Sequence, residues 1–139
     1  MADRTFYPSY TYGFGRVYME FQYQAAGGTS TPLLSTIDGC DPSAFLSITR
    51  TGAGVHVWVL SARDKYNKVI YKTADVDDTA NDGAYATVGS IINEASSSAG
   101  IGFTVITRSA GGTATDLAAA RKINVQFAFR NSAAGSNLK

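Results

Sequence analysis

The feature that most constrains this chain is a set of short runs in which apolar and polar residues alternate one by one, separated by stretches rich in glycine or aspartate. In residues 15–23 (GRVYMEFQY), Val17, Met19, Phe21 and Tyr23 alternate with Arg16, Tyr18, Glu20 and Gln22. A period of two puts successive side chains on opposite faces of a pleated strand, so this pattern predicts a strand with one buried face. Residues 101–108 (IGFTVITR) and 123–130 (INVQFAFR) alternate in the same way, and are expected to lie side by side. Residues 45–50 (FLSITR) and 55–60 (VHVWVL) flank the turn TGAG, whose Gly52 and Gly54 are free to take positive φ, the arrangement of a hairpin. Residues 69–73 (VIYKT) form a further short strand, and residues 84–94 (AYATVGSIINE), which suit a strand or a short helix, are read as a strand.

The connections carry turn chemistry. Residues 25–32 (AAGGTSTP), 38–42 (DGCDP) and 75–83 (DVDDTANDG) are loops by composition. Residues 109–122 (SAGGTATDLAAARK) exceed a tight turn, so they are expected to project, with room for one helical turn capped by Thr115 or Asp116. Several short alternating strands without a long segment of helical period predict an all-β, antiparallel β-sandwich, jelly-roll-like, over residues 15–132. An extended arm (residues 1–14) precedes it and a fraying tail (residues 133–139) follows. At 139 residues one domain can bury roughly two-thirds of the surface its unfolded chain exposes, enough for a core without covalent staples.

Charge narrows the choice of partner. Lys, Arg, Asp and Glu make up 17 % of the chain and the formal net charge is +1, which supplies no broad field for nucleic acid or anionic lipid, so neither is an expected partner. No run reaches the length of a membrane-spanning helix, and the opening MADRTFYP lacks the basic-then-apolar order of a secretory signal. The single cysteine, Cys40, can form no disulfide within the chain and reads as a small loop or core residue.

A catalytic centre is not expected. The one histidine, His56, lies between Val55 and Val57, on the strand face it shares with Trp58 and Leu60, where a packed histidine fits better than a general base. Asp75, Asp77, Asp78 and Asp82 resemble the start of a calcium loop, but Ala80 stands where such a loop turns on glycine and no acidic residue closes it, so a solvated acidic loop is the reading. The glycines of GFG (residues 13–15) and GIG (residues 100–102) lack the rest of a phosphate cradle. No metal or cofactor is expected.

The first 23 residues hold eight of the fifteen Phe and Tyr residues of the chain. Pro8, Gly13 and Gly15 interrupt any long strand there, which leaves an arm of amphipathic rings. Arg4, Phe6, Tyr7, Tyr10, Tyr12 and Phe14 are its candidate partner-binding residues, either laid over the arm's own sandwich or docked on a neighbour.

Two stretches carry a resemblance. The hairpin around Arg50, Thr51, Gly52 and Gly54 (R-T-G-x-G-V) and the strand ending FRNS at residues 129–132 resemble a group of small head accessory proteins of tailed bacteriophages. The resemblance implies a structural virion protein without enzymatic activity: a capsid cement or decoration protein made in the host cytoplasm and seated on the capsid surface. Its implied partner is the major capsid protein, and its implied assembly a homotrimer, with a dimer as the alternative. The competing expectation is a carbohydrate- or protein-binding sandwich module of a phage tail or fibre, in which Trp58 and exposed tyrosines would stack on sugar rings.

Overall fold

A computed structural model of the chain describes residues 16–60, 68–77, 79–92 and 101–130. Within them are seven strands: β1 (Arg16–Gln24), β2 (Phe45–Gly52), β3 (Val55–Leu60), β4 (Lys68–Val76), β5 (Tyr85–Ile92), β6 (Gly102–Arg108) and β7 (Lys122–Arg130). They form a three-stranded sheet in the order β1-β7-β4 and a four-stranded sheet in the order β2-β3-β6-β5. Every pairing is antiparallel. The β-sandwich expected from the alternation is the fold, and the segment that suits either strand or helix is strand β5.

The alternation works as the pleat requires. Met19, Phe21 and Tyr23 of β1 are buried while Tyr18, Glu20 and Gln22 face outward. In β3 His56, Trp58 and Leu60 point inward and Val55, Val57 and Val59 outward. The core between the sheets is aromatic. Trp58 meets Tyr23 edge-on at a centroid distance of 4.7 Å and stacks on Phe103 at 6.0 Å, and Phe103 touches Phe127 across the sandwich at 4.5 Å. Each such ring removes about 150–250 Å² from water and, at about 25 cal/mol per Å², contributes several kcal/mol to folding.

The expected pairing of residues 101–108 with 123–130 is not what forms. β6 and β7 belong to different sheets and face each other across the core. The cause is the partner count: β7 is the central strand of its sheet, hydrogen-bonded along β1 on one side and β4 on the other, which leaves no free edge for β6. The connection between them therefore crosses from one sheet to the other. It contains no helical turn; a reverse turn closes at Gly112 (φ 85°), whose N–H donates to the Ser109 carbonyl at 2.9 Å.

Four register shifts interrupt three pairings, between Phe45 and Ser47, between Arg50 and Gly52, between Val69 and Tyr71, and between Val88 and Ile91. An extra residue in one strand leaves the ladder and reverses which way a side chain points. Leu46 (64 % exposed) and Ile70 (46 % exposed) face outward next to inward Phe45 and Val69, and the shifts turn the following residues, Ser47 and Tyr71, to the same side. The two sides of the sandwich close differently. Asp38 bridges to Gln22 of β1 through two 2.8 Å backbone hydrogen bonds, and on the far side the Lys72 ammonium donates to the Gly89 carbonyl, tying β4 to β5.

Candidate functional site

Three regions could carry function: the hairpin end of the sandwich and the two outer sheet faces. At the hairpin end, β2 and β3 bring the RTGAG turn against the crossing loop. Of its two glycines only Gly54 takes positive φ (65°); Gly52 stays in the ladder opposite Val55. A Cβ on Gly54 would fall 2.5 Å from the carbonyl oxygens of Thr107 and Thr115, so the position admits only glycine. Asp116 receives three hydrogen bonds here: from Arg50 Nε at 3.1 Å, from Arg50 Nη2 at 2.7 Å and from the Gly54 N–H at 2.9 Å. Two parallel donors fit the planar guanidinium to the carboxylate and hold the Asp116 carboxyl below the usual carboxylate range. Arg50 and Gly54 thus form a latch between the hairpin and the loop, whereas Thr51 is exposed at a register shift of β2.

A second latch stands beside it. Buried Arg121 donates to both oxygens of Asp82, at 2.8 and 3.3 Å, and to the Asp77 carbonyl at 3.2 Å. The Asp-rich loop is therefore not simply solvated, because Asp82 serves as an anchor and its carboxyl lies below the ordinary range chiefly through Arg121. Asp78 lies outside the described residues. Among the described residues no three His, Cys, Asp or Glu side chains come together as a metal site.

Under the latch a cavity of about 10 Å³ is lined by Tyr23, His56, Thr107, Asp116 and Leu117. Tyr23 Oη and His56 Nδ1 are buried there without a hydrogen-bond partner. Burial lowers the His56 pKa, opposed by Asp116 and assisted by Arg50, and it drives that of Tyr23 far upward. Both rings are accordingly neutral at pH 7. The Thr107 hydroxyl that lines the same cavity donates to the Thr115 carbonyl at 2.7 Å, and the cavity is too small for an organic substrate. Cys40 is buried as a core residue, its thiol pushed up to about 12 by burial and by Asp41.

The outer faces differ in chemistry. That of the three-stranded sheet mixes exposed Ile70 with polar pairs: Gln22 Nε2 donates to Asn124 Oδ1 at 2.7 Å and Gln126 Nε2 to Glu20 Oε1 at 3.1 Å. Nearby, Tyr18 and Tyr71 stand on either side of Ala128, to which both are in register. The outer face of the four-stranded sheet presents Ser47, Thr49, Val55, Val57, Val59, Thr104, Ile106, Thr87 and Ile92, without a charge among them.

Of the residues singled out from the sequence, the structure joins Arg50 and Gly54 through Asp116, and leaves Thr51 at a register shift of β2 and Gly52 in the ladder. Trp58 is 0 % exposed, so it is a core anchor and no platform for a sugar. Arg4, Phe6, Tyr7, Tyr10, Tyr12 and Phe14 lie outside the described residues, as does the tail from 133 to 139. Asp82, Asp116 and Arg121 were not foreseen in their roles. Their partners lie 39 and 66 residues away in the chain, beyond any local pattern. Compared with known protein families, with curated proteins and with solved structures, the chain matches none of them.

Proposed function

We propose that this chain is a structural virion protein, a cement or decoration component that binds the major capsid protein on a bacteriophage head and reinforces the shell. The observation that carries this reading is the outer face of the four-stranded sheet, an uncharged plane of valine, isoleucine and threonine on the outside of a folded domain. Its valines and Ile106 are half-buried and Ile92 is exposed, and apolar area left open to water in this way marks a surface used for contact. The likeness of the R-T-G-x-G-V hairpin to head accessory proteins points the same way, and the latch gives that motif a structural reason. On a symmetric lattice many copies, each making a modest contact, add strength by multivalency. The assembly is a homotrimer at three-fold positions or a dimer at two-fold positions, and the aromatic arm is a second attachment device.

Mixing the purified full-length chain with heads that lack accessory protein tests this. Cosedimentation and a raised disruption temperature are expected, and the triple substitution Tyr7→Ser, Tyr10→Ser, Tyr12→Ser should weaken both while the circular dichroism spectrum stays that of a β-sandwich. A chain that leaves heads unbound and no more heat-resistant contradicts the proposal. The exposed Tyr71 and the amide-rich three-stranded face favour a second reading, a carbohydrate-binding module of a tail or fibre. Glycan binding that Tyr71→Ala abolishes would select it.

A further inference from the structure

The outer face of the four-stranded sheet can be followed row by row across the strands. From β2 to β5 the first row is Ser47, Val59, Gly102, Ile92, and the second is Thr49, Val57, Thr104. The third is Gly52, Val55, Ile106, Thr87, and only in the last row, Arg108 beside Tyr85, does a charge appear. The Arg108 guanidinium is turned to its own loop, donating to the Gly112 carbonyl at 2.8 Å.

Two glycines level this surface. A Cβ on Gly102 would fall 2.3 Å from Ile92 Cγ1, and one on Gly89 would fall 3.3 Å from Ile106 Cδ1. Both isoleucines therefore lie over glycine backbone, where a side chain at either position would obstruct them. The result is a surface whose first three rows carry no charge, with Leu46 and Ile92 its most exposed apolar side chains. A pleated plane is best complemented by another, because two sheets stack about 10 Å apart with their side chains interleaved.

We infer that this face pairs with the same face of a second copy of the chain, as a two-fold dimer. Two observations select that occupant. The first is charge: the partner must be uncharged where it meets these rows, and the same face of another copy is, whereas the opposite outer face of the sandwich carries Glu20, Asp75 and Lys122. The second is area. Four strands about 4.8 Å apart, each presenting about six residues at about 3.3 Å, make a plane of roughly 400 Å² per copy. That is about half of the roughly 800 Å² per partner of a standard stable interface, so the pairing is weak and follows concentration. A face that pairs with itself builds a dimer, because each copy uses one patch and the two-fold axis closes the contact. This assignment takes for self-association the face on which the shell reading rests, so the two compete for it, and a dimer formed here would grip the shell through the aromatic arm.

Sedimentation velocity of the full chain, from about 1 µM to several hundred µM, brackets the range where such a dimer forms. A monomer–dimer transition is expected. Val57→Lys and Thr104→Arg should each shift its midpoint upward by more than about tenfold, since each leaves two like charges facing each other across the axis. Gln126→Lys, on the opposite face, should leave the midpoint where it was. Melting at the lowest concentration should be nearly unchanged in all three variants, which separates lost pairing from lost folding. A monomer throughout the range overturns the inference, as does an oligomer indifferent to both Val57→Lys and Thr104→Arg. So does a chain that is always monomeric yet loses head binding with Val57→Lys, which gives the face to a shell protein instead.

Discussion

The two outer faces of the sandwich are built on the same principle and finished in opposite ways. Both sheets turn alternate residues into one aromatic core, with Phe21, Tyr23 and Phe127 from one sheet against Trp58 and Phe103 from the other. Outward, the three-stranded sheet presents carboxylate and amide groups paired across strands, beside exposed tyrosines and Ile70. The four-stranded sheet presents β-branched side chains over glycine, which water does not satisfy. Inside positions are fixed by folding, and either finish would serve folding alone. A difference confined to the outside is the ground for the proposal that the four-stranded face meets another protein surface.

Predictions about stability sharpen this contrast by showing what the two sheets share. Trp58→Ala in the four-stranded sheet and Phe127→Ala in the other should each lower the free energy of unfolding by about 3–5 kcal/mol, measured by urea denaturation. Similar losses mark one common core; a loss under about 1 kcal/mol for either would mean that its sheet does not depend on that core. Gly54→Ala comes next, at about 3 kcal/mol, because the new methyl group meets two carbonyl oxygens and the φ of 65° is strained for alanine. Asp116→Ala should lose about 1–2 kcal/mol, mainly because the buried Gly54 N–H is left without an acceptor. Smallest is Gln22→Ala on the three-stranded face, under about 1 kcal/mol, since water replaces the partly exposed amide pair.

Acid should act on the hairpin end in two stages. Burial lowers the His56 pKa below its unfolded value, so the unfolded chain takes up that proton first and stability falls as pH drops below about 6.5, the ordinary histidine range. The Arg50 contact lowers that of Asp116 and the Arg121 contact that of Asp82, so their contributions persist to about pH 4 and are lost below it. Thermal melts from pH 8 to pH 3, at a single concentration of about 1 µM, should show both declines. His56→Gln should remove only the upper one. An unchanged melting temperature between pH 7 and 5 would contradict the placement of His56.

Much of this architecture could be read from the chain, because alternation is a local signal with a direct physical cause. The buried sides of β1 and β3 follow residue by residue from the period of two, and Gly54 follows from the turn it must make. Strand order does not, since β7 takes partners from both ends of the sequence and the pattern of an edge strand equals that of a central one. The bulges at Leu46 and Ile70 were equally hidden: an apolar run looks the same whether or not one residue slips out of the ladder. The two latches joined residues too distant for spacing to reveal, and Asp116, read as a possible helix cap, proved to cap a turn in another strand pair. Of the surfaces, the β3 valines were visible as the outward half of an alternation, but their levelling by Gly89 and Gly102 needed the register.

The most direct test of the central claim, that the four-stranded face is the working surface, is hydroxyl-radical footprinting of the chain dilute and free, then concentrated or bound to heads. The account predicts that Leu46, Val57, Ile92 and Ile106 become protected while Tyr18 and Tyr71 react as before. Protection of the tyrosines with the valine and isoleucine face still open would contradict it.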